Sequence, residues 1–402
     1  MGDTKAAPSN RLESVDLLRG VVMVIMALDH VRDFFSDQLL IDPTDLNKTT
    51  PALFLTRWIT HYCAPTFIFL AGTSAFLAMT RGKSKAEMSW LLFTRGLWFA
   101  FFEVVINRLF WLFGYDLHQY GAGVFWAIGW AMVVLSWLIH LPTSIVTIIG
   151  VATIVLHNLL DGLTPQQVHM PGWLWGNLHG AGNHPVVDGI KFETGYCLIP
   201  WIGTMAAGYG FGAILLYEPE TRRKRLLHLG AGLILAFILV RAANVYGDPG
   251  PWSLQWHEGW SPTRNNWFSF FSFLNCTKYP ASLCYLLMTL GPSILFLGLF
   301  DRPVARIARP LLVFGRVPMF YYMLHIPLIH GGALLFDLVR FGESPQAPFA
   351  INAKVFERWP DYGVSLPWVY LIWVGVVFVL YWPCAWYAGV KRRSRSVWLG
   401  YL

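Results

Sequence analysis

Charge is what this sequence has least of. Of its 402 residues, 13% are charged, whereas 55% are hydrophobic and 16% aromatic. A soluble domain of this length carries about a quarter charged residues. With so few, most of the surface cannot face water, and lipid is the remaining solvent. Cysteine is also sparse. The five, Cys63, Cys197, Cys276, Cys284 and Cys384, form no C-x-x-C pair, which argues against metal or redox chemistry. Cys197 and Cys276 both fall near one membrane face, so a disulfide between them stays open. Other absences narrow the chemistry. The chain has no Walker loop, no dinucleotide G-x-G-x-x-G, no G-x-S-x-G elbow and no metal-type His/Cys spacing, so phosphoryl transfer, hydride transfer and serine hydrolysis lack their usual parts. No small-residue cleavage site follows the first apolar run, and Arg19 and Asp29 interrupt it. It reads as a retained anchor rather than a signal peptide.

Long apolar runs are what the sequence does have. Stretches near the ~20 residues that span a bilayer fall at 17–35, 53–79, 90–113, 123–139, 143–160, 196–217, 228–246, 279–300, 310–339 and 367–389. The expected fold is an all-α polytopic membrane protein of about ten transmembrane helices. The run at 310–339 holds Pro318 and Pro327 and is long enough to tilt or break. Alternate loops concentrate the basic residues: Lys5 and Arg11; Arg81, Lys83 and Lys85; Arg222 to Arg225; Arg302, Arg306 and Arg309; and Lys391 to Arg395. Positive residues stay on the cytoplasmic side, which puts both the N-terminus and the C-terminus there. The formal net charge of +7 is thus an orienting signal, not a nucleic-acid footprint. The division is a cytoplasmic segment 1–16, one transmembrane domain 17–389 and a basic cytoplasmic tail 390–402. Trp252, Trp256, Trp260 and Trp267 crowd one outer segment. They read first as an interfacial aromatic belt and second as a stacking platform for a sugar.

Ionisable groups inside spans are costly and usually functional. At 1.5 Å per residue, His30, Glu103, Arg241 and His325 lie roughly 20 Å from the cytoplasmic ends of their helices, and His61 roughly 12 Å below its outer end. Bundled, these five residues are expected to line one polar cavity. Asp33 lies at i+3 from His30, within reach to orient its ring alongside Asp29. Glu103 and Asn107 share a face at i+4. The bland alternative is a set of structural hydrogen bonds between helices. A second layer, Arg19, Arg95 and Arg316, lies roughly 3–9 Å inside its helices. Such arginines either snorkel to lipid phosphates or clamp a phosphate-bearing ligand. Thr73 and Ser74, beside Gly72, approach the same level, as small residues that permit close packing or ligand contact.

The opening block R-L-E-S-V-D-L-L-R-G at 11–20, with M-A-L-D-H at 26–30, carries a resemblance. So do A-P-T-F-I-F-L-A-G-T-S at 64–74, I-P-W-I-G-T-M at 199–205, N-C-T-K-Y-P-A-S-L at 275–283 and F-G-R-V-P-M-F-Y-Y-M-L-H at 314–325. Together they resemble the catalytic-domain family of heparan-alpha-glucosaminide N-acetyltransferases, in its bacterial branch. The resemblance implies an inner-membrane acyltransferase that takes acetyl-CoA from the cytoplasm and needs no metal. It implies an amino sugar or related amine or carbohydrate acceptor on the other side. Arg19, Arg95, Arg316, Thr73 and Ser74 would then hold the donor. His30 would act as general base, with Asp29, Asp33 and His61 beside it. Glu103, Asn107, Arg241, Lys278 and His325 would face the acceptor, and Asn107, His61 or Lys278 would meet the oxyanion. An acetyl-histidine intermediate and a homodimer stay open. One departure is that eukaryotic members carry Asn at the position of His30, where the more distant acyltransferase-3-like membrane proteins carry His. Two other classes fit the polar layers, a proton-coupled transporter and an accessory subunit of an envelope-polymer pathway.

Overall fold

The computed structural model describes residues 12–114, 118–187, 190–253, 262–343 and 353–394. Trp256, Trp260, the N-terminal residues to Arg11 and the tail from Arg395 lie outside them. Among the described residues, seven helical stretches are long and apolar enough to cross a membrane. These are Pro51–Thr80, Lys85–Leu112, Thr143–Leu160, Leu198–Leu216, Pro219–Ala243, Pro318–Phe341 and Leu366–Arg393. Two shorter apolar helices, Val124–Leu138 and Leu283–Leu299, stand beside them. So does the more polar α1, Glu13–Phe35. Trp90, Ile148, Leu239, Phe378 and Trp386 stand exposed, as lipid-facing positions do.

The breaks have local causes. The expected helix at 53–79 is two, α2 (Pro51–Thr60) and α3 (Cys63–Thr80). Pro65 has no N–H to give the carbonyl of His61, and its ring crowds that carbonyl. The freed oxygen instead accepts the Tyr285 hydroxyl at 2.8 Å. The next stretch begins as α4 (Lys85–Phe101), closed by a capping box between Ser84 and Glu87. It widens to a π-helical turn at Phe102–Asn107 and ends as α5 (Arg108–Leu112). The run at 310–339 breaks at Val317 into α13 (Arg309–Arg316) and α14 (Pro318–Phe341). Pro318 sits at the first helical position, where its missing N–H costs nothing, while Pro327 is accommodated inside.

Around α1 the remaining elements are α6 (Val124–Leu138), α7 (Thr143–Leu156), α8 (Gly172–Leu178), α9 (Leu198–Phe211) and α10 (Pro219–Ala243). They continue with α11 (Pro262–Leu274), α12 (Leu283–Leu299), α15 (Ala353–Arg358) and α16 (Leu366–Arg393). The main packings are α10 on α12, α4 on α6, α9 on both α3 and α7, and α1 on α13. Close approach at glycine makes the last of these. A Cβ on Gly20 would stand 1.9 Å from the Leu311 carbonyl oxygen, and one on Gly315 1.8 Å from that of Asp16. The fold also holds a small sheet that the all-α expectation lacks: β1 (Gln119–Ala122), β2 (Gly182–Val187) and β3 (Ile190–Thr194), in the order β1-β3-β2. β1 runs parallel to β3 and β2 antiparallel to it. Cys197 and Cys276 are both free, buried thiols, so the disulfide left open between them is absent.

Candidate functional site

A cavity of about 1590 Å³ runs along α1. One end is lined by Arg19, Arg95, Arg316 and Lys391, the other by Asp29, His30, Asp33, Arg57, Lys278 and Tyr279. The lining between them includes Met23, Met26, Ala71, Ser74, Leu92 and Phe99.

The basic end is organised around one buried carboxylate. Asp16 lies 3.7 Å from Arg19 and 3.9 Å from Arg316. Arg19 also donates to the Ser74 hydroxyl and, at 3.1 Å, to the Leu70 carbonyl. The Arg95 guanidinium sits 5.3 Å from the centroid of the Phe99 ring. The four acidic residues that line the cavity, Asp29, Asp33, Glu103 and Glu193, are all elsewhere in it. This end is therefore suited to an anion by charge and by donor count. Thr73 does not line it. Its hydroxyl donates to the carbonyls of Phe69 at 3.0 Å and Gly208 at 2.9 Å, which ties α3 to α9.

At the other end His30 sits against three aromatic groups. Its Nδ1 lies 2.7 Å from Nε2 of His325. Trp111 meets it edge-on at 5.0 Å and Tyr322 at 6.2 Å between ring centroids. Asp29 and Asp33 line the same region but pair with arginines. Arg57 donates to Asp29, Arg32 stands 3.0 Å from Asp29 and donates to Asp33 at 2.6 Å. The expected Asp–His30 couple is thus replaced by a His–His couple, because Arg32 and Arg57 are stronger partners for a carboxylate than a neutral ring.

The π turn carries Glu103 and Asn107. One Glu103 oxygen accepts the Phe125 N–H at 2.9 Å, satisfying the start of α6, and the other accepts from Asn107 at 3.0 Å. The Asn107 oxygen accepts the Tyr322 hydroxyl at 2.9 Å. Both residues line the cavity, yet these polar atoms are engaged with one another. Lys278 lines it as well. Its ammonium lies 5.1 Å from the Tyr279 ring and 5.4 Å from that of Tyr196.

Depth along the helices did place His30 and His325 together, although His325 is buried outside the cavity lining and does not face an acceptor there. It did not do so for His61 and Arg241. His61 is buried with its ring 5.5 Å from Tyr285, away from the cavity lining. Arg241 is also absent from that lining. It donates to the carbonyls of Gly250, Ser272, Phe273 and Asn275 at 2.8–3.0 Å, and it stands 3.6 Å from Asp248. It staples Gly250 to the 272–275 stretch rather than facing an acceptor. Arg57, Trp111, Tyr279, Tyr322 and Lys391 line the cavity without having been singled out. Tyr279 adjoins Lys278 within the T-K-Y-P block, the one signal that pointed at it. No group of His, Cys, Asp and Glu suited to a metal occurs among the described residues.

Residues 11–246 match the heparan-alpha-glucosaminide N-acetyltransferase catalytic family. The chain belongs to that family. No curated protein matches it. Family membership and the apolar helices make it a membrane protein of acetyltransferase type. The family match ends at residue 246, so Lys278, His325 and Lys391 lie beyond it, and the roles of these residues rest on the geometry of this chain.

Proposed function

We propose that the protein transfers an acetyl group from acetyl-CoA, held at the basic end of the cavity, to an amine or hydroxyl acceptor at the His30 end. The observation that carries this reading is a single cavity joining four cations to an imidazole. From Arg19 to His30 along α1 is about 16 Å. The pantetheine arm of coenzyme A, from its phosphate oxygen to its sulfur, has about twelve backbone bonds. At the extended rise of a peptide it measures roughly 14 Å. Phosphates held by Arg19, Arg95, Arg316 and Lys391 would therefore present the thioester at His30. The apolar middle of the cavity suits an arm with only two amides.

In the transfer, the acceptor's N–H or O–H gives its proton to His30 as the new C–N or C–O bond forms at the thioester carbonyl. The tetrahedral intermediate collapses with cleavage of the C–S bond, and the imidazolium returns the proton to the departing sulfur. Such base catalysis contributes ~10²–10⁴ in rate. Lys278 and Tyr279 flank the acceptor side and are placed to meet developing negative charge. Ten spanning helices with both termini cytoplasmic would put the basic end at the cytoplasm and the acceptor outside. The alternating loop charge supports that orientation. An amino sugar as acceptor and a bacterial inner membrane as location carry over from the sequence resemblance.

The deciding experiment measures thiol release from acetyl-CoA by the purified protein in nanodiscs, with and without glucosamine, against His30→Gln. Acceptor-stimulated release that falls at least 100-fold in the variant supports the reading. Absence of release together with absence of coenzyme A binding refutes it. Proton-driven solute uptake into proteoliposomes would then identify the cavity as a transport path.

A further inference from the structure

We propose that His325 is a positioning residue that decides which nitrogen of His30 faces the cavity. The inference rests on the reading of His30 as the base. His325 is 0% exposed and lies behind His30, outside the cavity lining. Its Nδ1 stands 2.7 Å from the Tyr322 carbonyl oxygen and 3.2 Å from that of Tyr321. A carbonyl can only accept, so the hydrogen of the His325 ring is on Nδ1. The Nε2 of a neutral His325 is then a bare lone pair. That atom lies 2.7 Å from Nδ1 of His30, so the hydrogen between the rings belongs to His30. With Nδ1 carrying the hydrogen, Nε2 of His30 keeps its lone pair, and His30 lines the cavity. A ring of the opposite tautomer would turn an N–H toward the acceptor and could not take its proton.

The chain of constraint continues past His325. The Tyr322 carbonyl receives the Nδ1 hydrogen, while the Tyr322 hydroxyl donates to Asn107 at 2.9 Å. Asn107 in turn donates to Glu103, which accepts from the start of α6. Backbone groups anchor both ends of this series, the Tyr322 carbonyl at His325 and the Phe125 N–H at Glu103, and the side chains between them are each engaged. A carboxylate often plays this orienting part for a catalytic histidine. Here the carboxylates nearest in sequence are held by Arg32 and Arg57, and a second imidazole takes the place.

The test reads the tautomer directly. Protein labelled with ¹⁵N-histidine is placed in nanodiscs, and the His30 signals are assigned by their loss in His30→Gln. In the native protein His30 should show a protonated Nδ1 and a bare Nε2. In His325→Ala the hydrogen should move to Nε2, with kcat falling about 100-fold and KM for acetyl-CoA unchanged. In His325→Gln the side-chain oxygen accepts the same hydrogen, and both tautomer and kcat should return to within about tenfold of native. A native His30 protonated on Nε2 overturns the proposal even if His325→Ala does not fold. So does a folded His325→Ala with native tautomer and kcat. The tautomer is observed without turnover, so native protein that neither releases thiol nor binds coenzyme A refutes acetyl transfer and leaves the assignment for His325 to be decided by the spectrum alone.

Discussion

Arg241 gives its guanidinium to four backbone carbonyls and sits beside Asp248, both side chains almost fully buried. Arg241→Met takes one donor from each of those carbonyls and leaves Asp248 without its counter-charge. The expected loss is on the order of 3 kcal/mol, seen as a lower Tm, with thiol release per folded molecule unchanged. Lys278→Met should do the reverse, with Tm held and acceptor-stimulated release reduced at least tenfold, because the Lys278 ammonium faces the cavity and two phenols. Equal losses of stability in the two variants would sink this division. In the sequence the two residues looked alike, as cations expected to face the acceptor. Depth within a helix follows from counting residues, but the direction a side chain takes around the helix depends on neighbours the sequence does not name. That is why His30 and His325 were legible as a pair on one level, whereas the positions of His61 and Arg241 were not. Thr73 failed for the same reason. Its hydroxyl level was right, but it points to α9.

Helices are the most legible elements, since a run of apolar residues has one stable form in lipid. Their breaks at His61 and Val317 follow from Pro65 and Pro318, which the sequence displays. The sheet was hidden because β1 pairs with β3 across some seventy residues of chain, and each strand is too short to carry a pattern. The π turn was hidden because nothing in F-E-V-V-I-N distinguishes it from ordinary helix. Packing between elements gives a prediction of its own. Gly315 lets α13 lie against α1 at the backbone of Asp16, and Asp16 is the carboxylate that gathers Arg19 and Arg316. Gly315→Val should separate these helices at a cost of about 1–3 kcal/mol and weaken coenzyme A binding at least tenfold. Titration of the folded variant by thermal shift checks it. Unaltered affinity would mean that the basic end tolerates displacement of α13.

Along the cavity the charge is asymmetric: the charged residues that line one end are all cations, with Asp16 buried behind them, and both signs line the other. Coenzyme A should therefore stabilise the protein, by about 2.7 kcal/mol at a hundredfold excess over its Kd. Its affinity should fall as salt rises through the range in which the Debye length shrinks from ~30 to ~8 Å. Pantetheine, which lacks the phosphates, should bind with little salt dependence. An equal slope for both ligands would remove Arg19, Arg95, Arg316 and Lys391 from the donor site. The same four residues have a bearing on the membrane as an insulator. A bilayer that holds a voltage cannot tolerate an unguarded wet passage, and the cavity reaches from Arg316 to Asp33. A cluster of positive charge at its basic end turns away protons and metal cations alike. What it admits most readily is a polyanion whose tail fills the apolar middle, so on the proposed reading the substrate is also the stopper, and the resting enzyme is electrically tight whenever coenzyme A is abundant.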